Sequence, residues 1–242
     1  MYLFYTPDID KAQFLSEEES AHCVRVLRYT KGDEILLTDG KGYTYNAHIT
    51  DANPKHCAFE VFHQEKQQRS HNFYLHIAIA PTKNIERLEW MVEKCTEIGV
   101  DEITLLLCRF SERKQVREER LAKIILSAAK QSLTPYMPRL NPLTDYKTFI
   151  HQVEQRNRYI AHCYKEDKRE FKDEMLKYSE LAHSDSVQDG VVVLIGPEGD
   201  FSEQEVAESF GCGFLPVGLG KSRLRTETAG VVACHTAILL NS

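Results

Sequence analysis

The chain has 242 residues, 42% of them hydrophobic, and carries 30 Lys and Arg against 36 Asp and Glu, a formal net charge of −6 at pH 7. That length and apolar content suffice for one large domain, or for a small and a medium one with real cores. The acidic balance holds on both sides of Ser70, with 8 basic against 11 acidic residues up to it and 22 against 25 after it, so a globally basic nucleic-acid coat is excluded and any RNA binding must come from a local patch.

Seven cysteines are scattered without a C-x-x-C, and no apolar stretch at the start reads as a signal peptide or membrane span, which points to a reduced, cytoplasmic protein. His and Cys are neighbours at 22/23, 56/57, 162/163 and 234/235. Adjacent residues on an element point in different directions and no second pair has ligand spacing, so no metal is expected.

In chain order, Met1 to Tyr5 alternates as a strand, and Ser16 followed by Glu19 has the capping-box spacing, predicting a short helix over Glu17 to Leu27. The period then changes to strand-like runs at 34–38, 43–50 and 57–62, separated by Asp39-Gly40-Lys41-Gly42 and Asn53-Pro54. Short strands joined by Gly and Pro turns predict a small β-barrel. Gln64 to His71 holds no apolar residue and reads as a linker, giving one domain over residues 1–68 and a second over 72–242.

The second domain opens on an apolar strand, Phe73 to Ala80. Ile85, Leu88, Met91, Val92, Cys95 and Ile98 then recur at helical spacing, so Asn84 to Ile98 is an amphipathic helix ended by Gly99. A strand at Ile103 to Cys108, helical patterns near 116–132 and 144–156, a strand at Tyr159 to Cys163 and a charged helix near 170–182 lead to the buried-strand run Val191 to Ile195. Gly196-Pro197-Glu198-Gly199 stops that run, and Ser202 with Glu205 is a second capping box, starting a helix that Gly211 and Gly213 end. The strand Phe214 to Val217 empties into Gly218-Leu219-Gly220 and the basic run Lys221-Ser222-Arg223-Leu224-Arg225. Thr226 is placed as the N-cap of a last helix with Glu227 in its first turn. Strands alternating with helices call for an α/β domain, a parallel sheet covered on both faces.

Ligands of an open α/β sheet lie beyond the carboxyl ends of its strands, so loops 196–200 and 218–225 are expected to line one pocket. It is not a phosphate loop: Gly220-Lys221-Ser222 supplies the end of that motif, but Leu215 stands where its first glycine must be. A dinucleotide fingerprint from Gly211 fails too, because Pro216 occupies the third glycine position and the run precedes a strand.

The block IGPEGDFSEQE from Ile195, followed by LG at 219–220 and LRTETAG at 224–230, resembles the RsmE family of 16S rRNA uracil-N3 methyltransferases in the SPOUT superfamily. The likeness extends through Lys83 to Val100 and to His22, Val26, Leu27 and Arg28, and so covers nearly the whole chain. It implies a PUA-like RNA-binding barrel followed by a SPOUT-type parallel sheet whose C-terminal chain forms a deep trefoil knot, a topology that general folding rules would reject. It implies S-adenosyl-L-methionine as cofactor, 16S rRNA or an assembled small ribosomal subunit as partner, a homodimer, and no membrane. The small residues Ala229, Gly230, Ala233 and Ala237 of the last helix are the expected subunit contact.

For the site, the cofactor is expected on backbone groups at Leu194, Ile195, Gly196, Glu198, Gly199, Leu219 and Gly220, with Leu224 packing against the adenine. Glu198 has a second reading, as a cap for a nearby backbone amine. His22, Arg25 and Arg28 stand either as a solvated face or as phosphate contacts, and Lys83 either starts its helix or faces the RNA. Arg223 and Arg225, two apart in an extended segment, point to one side and ask for an anion. Uracil N3 accepts a methyl group only as its proton leaves and charge spreads onto the flanking oxygens, so Arg225 is the expected catalytic group, with Glu227 as rival general base. The chain departs from the family where Ser222 often is arginine, Arg223 often aliphatic, and Leu133-Thr134 often Gly-Arg. Two further readings stay open: a superfamily methyltransferase of tRNA or 23S rRNA, and an RNA-binding protein without catalysis.

Overall fold

Leu3–Tyr5 (β1) lies parallel to Glu34–Thr38 (β2), which continues antiparallel to Tyr43–Asp51 (β3) and then Ala58–Lys66 (β4). This four-stranded sheet organises the first of two compact units in the computed structural model, which describes residues 2–165, 167–180 and 186–241. The ladder is open at β1 and at β4, and an isolated bridge, Phe14↔Ala58, extends the β4 side. Register shifts at Asn46/Ala47 and Ile49/Asp51 bend β3 and β4, as bulges do. Inside lies a core of Phe4, Leu15, Leu37, Ala47, Ile49 and Phe59.

Helix Glu17–Ala21 (α1) starts where the spacing placed it, the Glu19 N–H donating to Ser16 Oγ at 3.3 Å, and runs on as a π-helical turn over His22–Val26. The Glu19 carboxylate accepts from Lys130 Nζ at 2.5 Å, a nearly buried ion pair. Lys130 belongs to this unit because residues Leu126–Met137 do, together with those up to Arg69; the remainder, Ser70–Ile125 and Pro138 onward, forms the second unit. Two expectations are corrected here. The supposed linker from Gln64 begins as strand, since Lys66 still pairs with Tyr43, and residues 126–137 do not group with the chain on either side of them. Leu133 takes φ 56°, a left-handed conformation that a glycine adopts without steric penalty, which gives the departure at this position a backbone cost.

The second unit holds Leu75–Ile79 (β5), helix Ile85–Ile98 (α2), Glu102–Leu107 (β6), helix Glu118–Gln131 (α3, whose last residues belong to the first unit), Arg139–Asp145 (β7), helix Tyr146–Gln152 (α4) and Asn157–Ala161 (β8). Arg169–Glu170 (β9), helix Phe171–Ser179 (α5), Val191–Ile195 (β10), helix Glu203–Gly211 (α6), Leu215–Gly218 (β11) and helix Thr226–Leu239 (α7) follow. The expected continuation of α5 to 182 falls on residues outside those described. The seven strands form one parallel sheet in the order β7-β6-β5-β10-β8-β11-β9. β10 is buried at every residue, as an unbroken aliphatic run in the middle of a two-faced sheet must be. Helices α4 and α6 cover one face; α7 packs on β5 and β10 on the opposite face, with α2 against α7.

Caps explain the helix limits. Asn84 Oδ1 accepts the Glu86 N–H, Gly99 ends α2 at φ 113°, and Ser202 and Glu205 form a reciprocal capping box for α6. The cap of α7 is Arg225, one residue earlier than expected and without a side-chain cap; Thr226 is already helical. The small face of α7 is not free for a partner: Gly230, Ala233 and Ala237 are buried, and a Cβ on Gly230 would meet Ile79 Cδ1 at 3.0 Å and Met91 Cγ at 3.1 Å. Close approach of α7 to α2 and β5 is what those small residues serve. Gly230→Leu therefore overpacks this contact and lowers stability by about 1–3 kcal/mol despite the better helix former; a urea midpoint equal to the wild type's would contradict the packing.

Candidate active site

Parallel pairing sets the site. Ile195 of β10 lies opposite Ala161 of β8 and Ile79 of β5, and Val217 of β11 lies opposite Ala161 on its other side. The loops after β5, β8, β10 and β11 therefore leave the sheet along one edge, the carboxyl edge where α/β sheets take ligands. There a cleft of about 400 Å³ is lined by Arg87, Ala161, Cys163, residues Ile195 to Glu198, Asp200, Arg223 to Glu227 and Ala229. That volume is within the range of small-molecule sites.

Side-chain carboxylates tie the rim together. Glu198 Oε1 accepts the Lys83 N–H at 2.8 Å, so its backbone-capping reading is realised, and the Lys83 ammonium pairs with Glu112 at 2.8 Å. Arg113 donates to the carbonyls of Thr82 and Lys83. Asp200, at φ 68°, accepts the Cys163 N–H on Oδ2 at 2.7 Å and the Phe201 N–H on Oδ1 at 2.9 Å, joining the β8 and β10 loops. The Gly220 N–H donates to Glu170 Oε2 at 3.1 Å, which holds the β11 loop from the side of β9.

Glu227 has the most unusual environment. It is 6% exposed at the start of α7, its Oε1 stands 3.8 Å from Arg87 Nε, and its buried Oε2 has no hydrogen-bond partner among the described residues. A buried carboxylate oxygen left unpaired is costly in a folded chain, and Glu227 is among the residues that line the cleft.

Of the residues expected to hold a cofactor, Ile195, Gly196, Glu198 and Leu224 line the cleft, as do Arg223, Arg225 and Glu227. The others do not. Leu194 is wholly buried in the sheet core, Gly199 faces Phe110, the Gly220 N–H is held by Glu170 of β9, and Leu219 is not among the lining residues. Arg87, Cys163 and Asp200 line the cleft without having been named as site residues; Asp200 lies within the loop 196–200 expected there, and Arg87, in the first turn of α2, lies within the Lys83–Val100 likeness. Lys83 is exposed on the rim. In the first unit, Arg25 and the left-handed Arg28 (φ 62°) are exposed, while the His22 ring is half-buried and stacks on Tyr2 at 4.7 Å. Among the described residues no cluster of His, Cys, Asp or Glu could hold a metal ion, and no helix is long and apolar enough to cross a membrane.

Comparison with known proteins agrees with this geometry. The RNA methyltransferase domain family matches residues 69–238, and the RNA methyltransferase PUA domain family matches residues 15–62. The crystal structure of a probable rRNA-methyltransferase from Porphyromonas gingivalis is 42% identical, with a TM-score of 0.88 over 100% of this chain and 98% of that one. A Legionella pneumophila protein solved with the bound cofactor SAM is 27% identical, with a TM-score of 0.81 over 96% of this chain and 94% of that one. The ribosomal RNA small subunit methyltransferase E of Synechocystis is 28% identical over 93% of this chain and 72% of its own length.

The exposed Cys163 offers a direct test of the rim. Desolvation raises its thiol pKa, the neighbouring Asp200 carboxylate raises it further, and Arg223 works in the opposite sense. A raised pKa leaves less thiolate near pH 8, so alkylation of Cys163 by iodoacetamide is slower than that of an unperturbed thiol. Asp200→Asn keeps an acceptor and removes the charge, and must speed the reaction at fixed pH; an unchanged rate would show that Asp200 does not act on this thiol.

Proposed function

The chain belongs to the RNA methyltransferase family, and we propose that it transfers a methyl group from S-adenosylmethionine to a base of small-subunit ribosomal RNA. The observation that carries this reading is the meeting of the 195–200 and 223–227 segments in one cleft with an unpaired buried carboxylate oxygen. The cleft suits the cofactor: it has room for a nucleoside, and Glu227 offers a carboxylate to a ligand with cationic centres. The SAM-bound Legionella relative supports the assignment. Ile195, Gly196 and Glu198 would hold the cofactor along one wall and Leu224 would pack on its adenine from the other. S-adenosylmethionine, when bound, supplies an electrophilic methyl group.

The target atom we propose is N3 of a uridine in 16S rRNA. That nitrogen carries its proton between two carbonyls, so the site must favour the anion that forms as the proton leaves. Arg225, exposed and lining the cleft, would place a guanidinium beside those oxygens, and Arg223 two residues away would hold an adjoining phosphate. The unpaired Glu227 Oε2 favours a second reading, in which that carboxylate takes the N3 proton while Arg87 orients it. His22, Arg25, Arg28 and Lys83 remain proposed RNA contacts. So do a cytoplasmic location, a homodimer, and the trefoil knot, which the course of the chain supports: β10 inserts between β5 and β8, and α7 returns from β11 to pack on α2 and β5. A monomeric mass in light scattering would contradict the dimer.

Purified protein with labelled S-adenosylmethionine tests the function against undermodified small subunits, naked rRNA and tRNA. Label in small-subunit rRNA is expected; label in tRNA alone would move the chain to another substrate, and none, with RNA binding intact, would leave a binding protein. Within the active enzyme, Arg225→Ala is expected to lower turnover at least about a hundredfold with little change in cofactor affinity. A larger fall for Glu227→Gln, with loss of the acidic limb of the pH–rate profile, would give the proton transfer to Glu227 instead.

A further inference from the structure

We propose that Phe110, beside the cleft, is a stacking platform for an unpaired nucleobase of the RNA, flanked by a basic loop that holds the adjoining phosphates. This rests on the methyltransferase reading of the cleft. Isolated exposed apolar side chains are ordinary on a protein surface, so the ring's 48% exposure alone means little. Its setting is what distinguishes it.

The loop after β6 leaves the same carboxyl edge as the loops of the cleft. It closes at once into a turn: the Cys108 N–H donates to Ser111 Oγ at 3.0 Å and the Ser111 N–H donates to the Cys108 carbonyl at 3.1 Å. At the corner the Arg109 N–H donates to Glu205 Oε1 at 2.8 Å, and farther on Arg113 is fixed to the carbonyls of Thr82 and Lys83. The aromatic ring is thereby presented on a braced turn, so little conformational entropy is lost when a base lands on it. A Cβ on Gly199 would meet Phe110 Cβ at 3.3 Å, which seats the residue against the loop whose neighbours Glu198 and Asp200 line the cleft.

Charge completes the argument. Between 109 and 117 the chain carries Arg109, Arg113, Lys114 and Arg117 against the single acid Glu112, in a protein of net charge −6, and Glu112 is itself paired with Lys83. Arg109, Lys114 and Arg117 are exposed. The Arg109 guanidinium carbon lies over the Phe110 ring, 6.0 Å from its centroid, so a cation already accompanies the aromatic ring while 48% of the residue stays exposed. An aromatic face with cations around it is how single-stranded nucleic acid is held without reading its sequence.

Phe110→Ala isolates the ring, because the Cβ that touches the Gly199 loop remains. It is expected to raise the Kd for a labelled single-stranded oligouridylate about tenfold, within the range of one base–aromatic stack. KM for undermodified small subunits should rise with kcat nearly unchanged, and S-adenosylmethionine affinity should not move. Phe110→Tyr and Phe110→Trp should restore binding and Phe110→Leu should not. Unchanged oligouridylate affinity in Phe110→Ala, or full rescue by leucine, overturns the platform. A wild-type protein that loses RNA affinity on Phe110→Ala yet methylates nothing leaves the platform standing and removes the methyltransferase reading.

Discussion

The insertion of β10 between β5 and β8, in register and parallel to both, is the constraint on which the molecule's second unit depends. Five residues buried on both faces can occupy only the middle of the sheet. Once they do, Ile79, Ala161 and Ile195 end side by side and Val217 joins them from β11. Every loop that carries chemistry then issues from one edge. The helix that follows, α7, reaches back to β5 and α2 only because Gly230, Ala233 and Ala237 leave room for it, and this return brings Glu227 to the cleft.

Within the cleft the electrostatics divide into groups that are satisfied and groups that are not. Glu198 accepts the Lys83 N–H on Oε1 and Asp200 accepts the Cys163 and Phe201 N–H groups on its two oxygens, which makes them braces for the rim. Glu227 Oε2 is buried without a partner among the described residues, and the arginines 87, 223 and 225 surround the same space. An acidic chain thus concentrates cations where a polyanionic substrate must meet a cationic cofactor, with the basic 109–117 loop beside them. Local arrangement, and not net charge, carries affinity for such a substrate.

Much of this was legible in the sequence, for physical reasons that also mark its limits. β5, β10 and α2 were plain because burial imposes an aliphatic run or a helical period, and Gly99 and Ser202 with Glu205 mark ends through backbone demands that few residues meet. β7 was missed: Arg139-Leu140-Asn141-Pro142-Leu143-Thr144-Asp145 is an edge strand, where proline is tolerated and burial imposes no pattern. β4 ran on into a segment read as linker because its last residues are exposed, so only pairing, which composition does not report, makes them strand. The cleft's two glycine loops were found from their place after strands, but spacing could not tell that the Gly220 N–H is taken by Glu170. Arg87, in the first turn of α2, and Cys163, after β8, were not named because they follow other strands, and only the sheet order brings them in.

The account stands most directly on where the cofactor binds. Hydrogen exchange with and without S-adenosylmethionine locates that site without assuming any catalytic role. Protection is expected at amides 195–200 and 223–227, with residues 153–157, which lead into the amino end of β8, unchanged; protection confined to 153–157, or none at saturating cofactor, would contradict it.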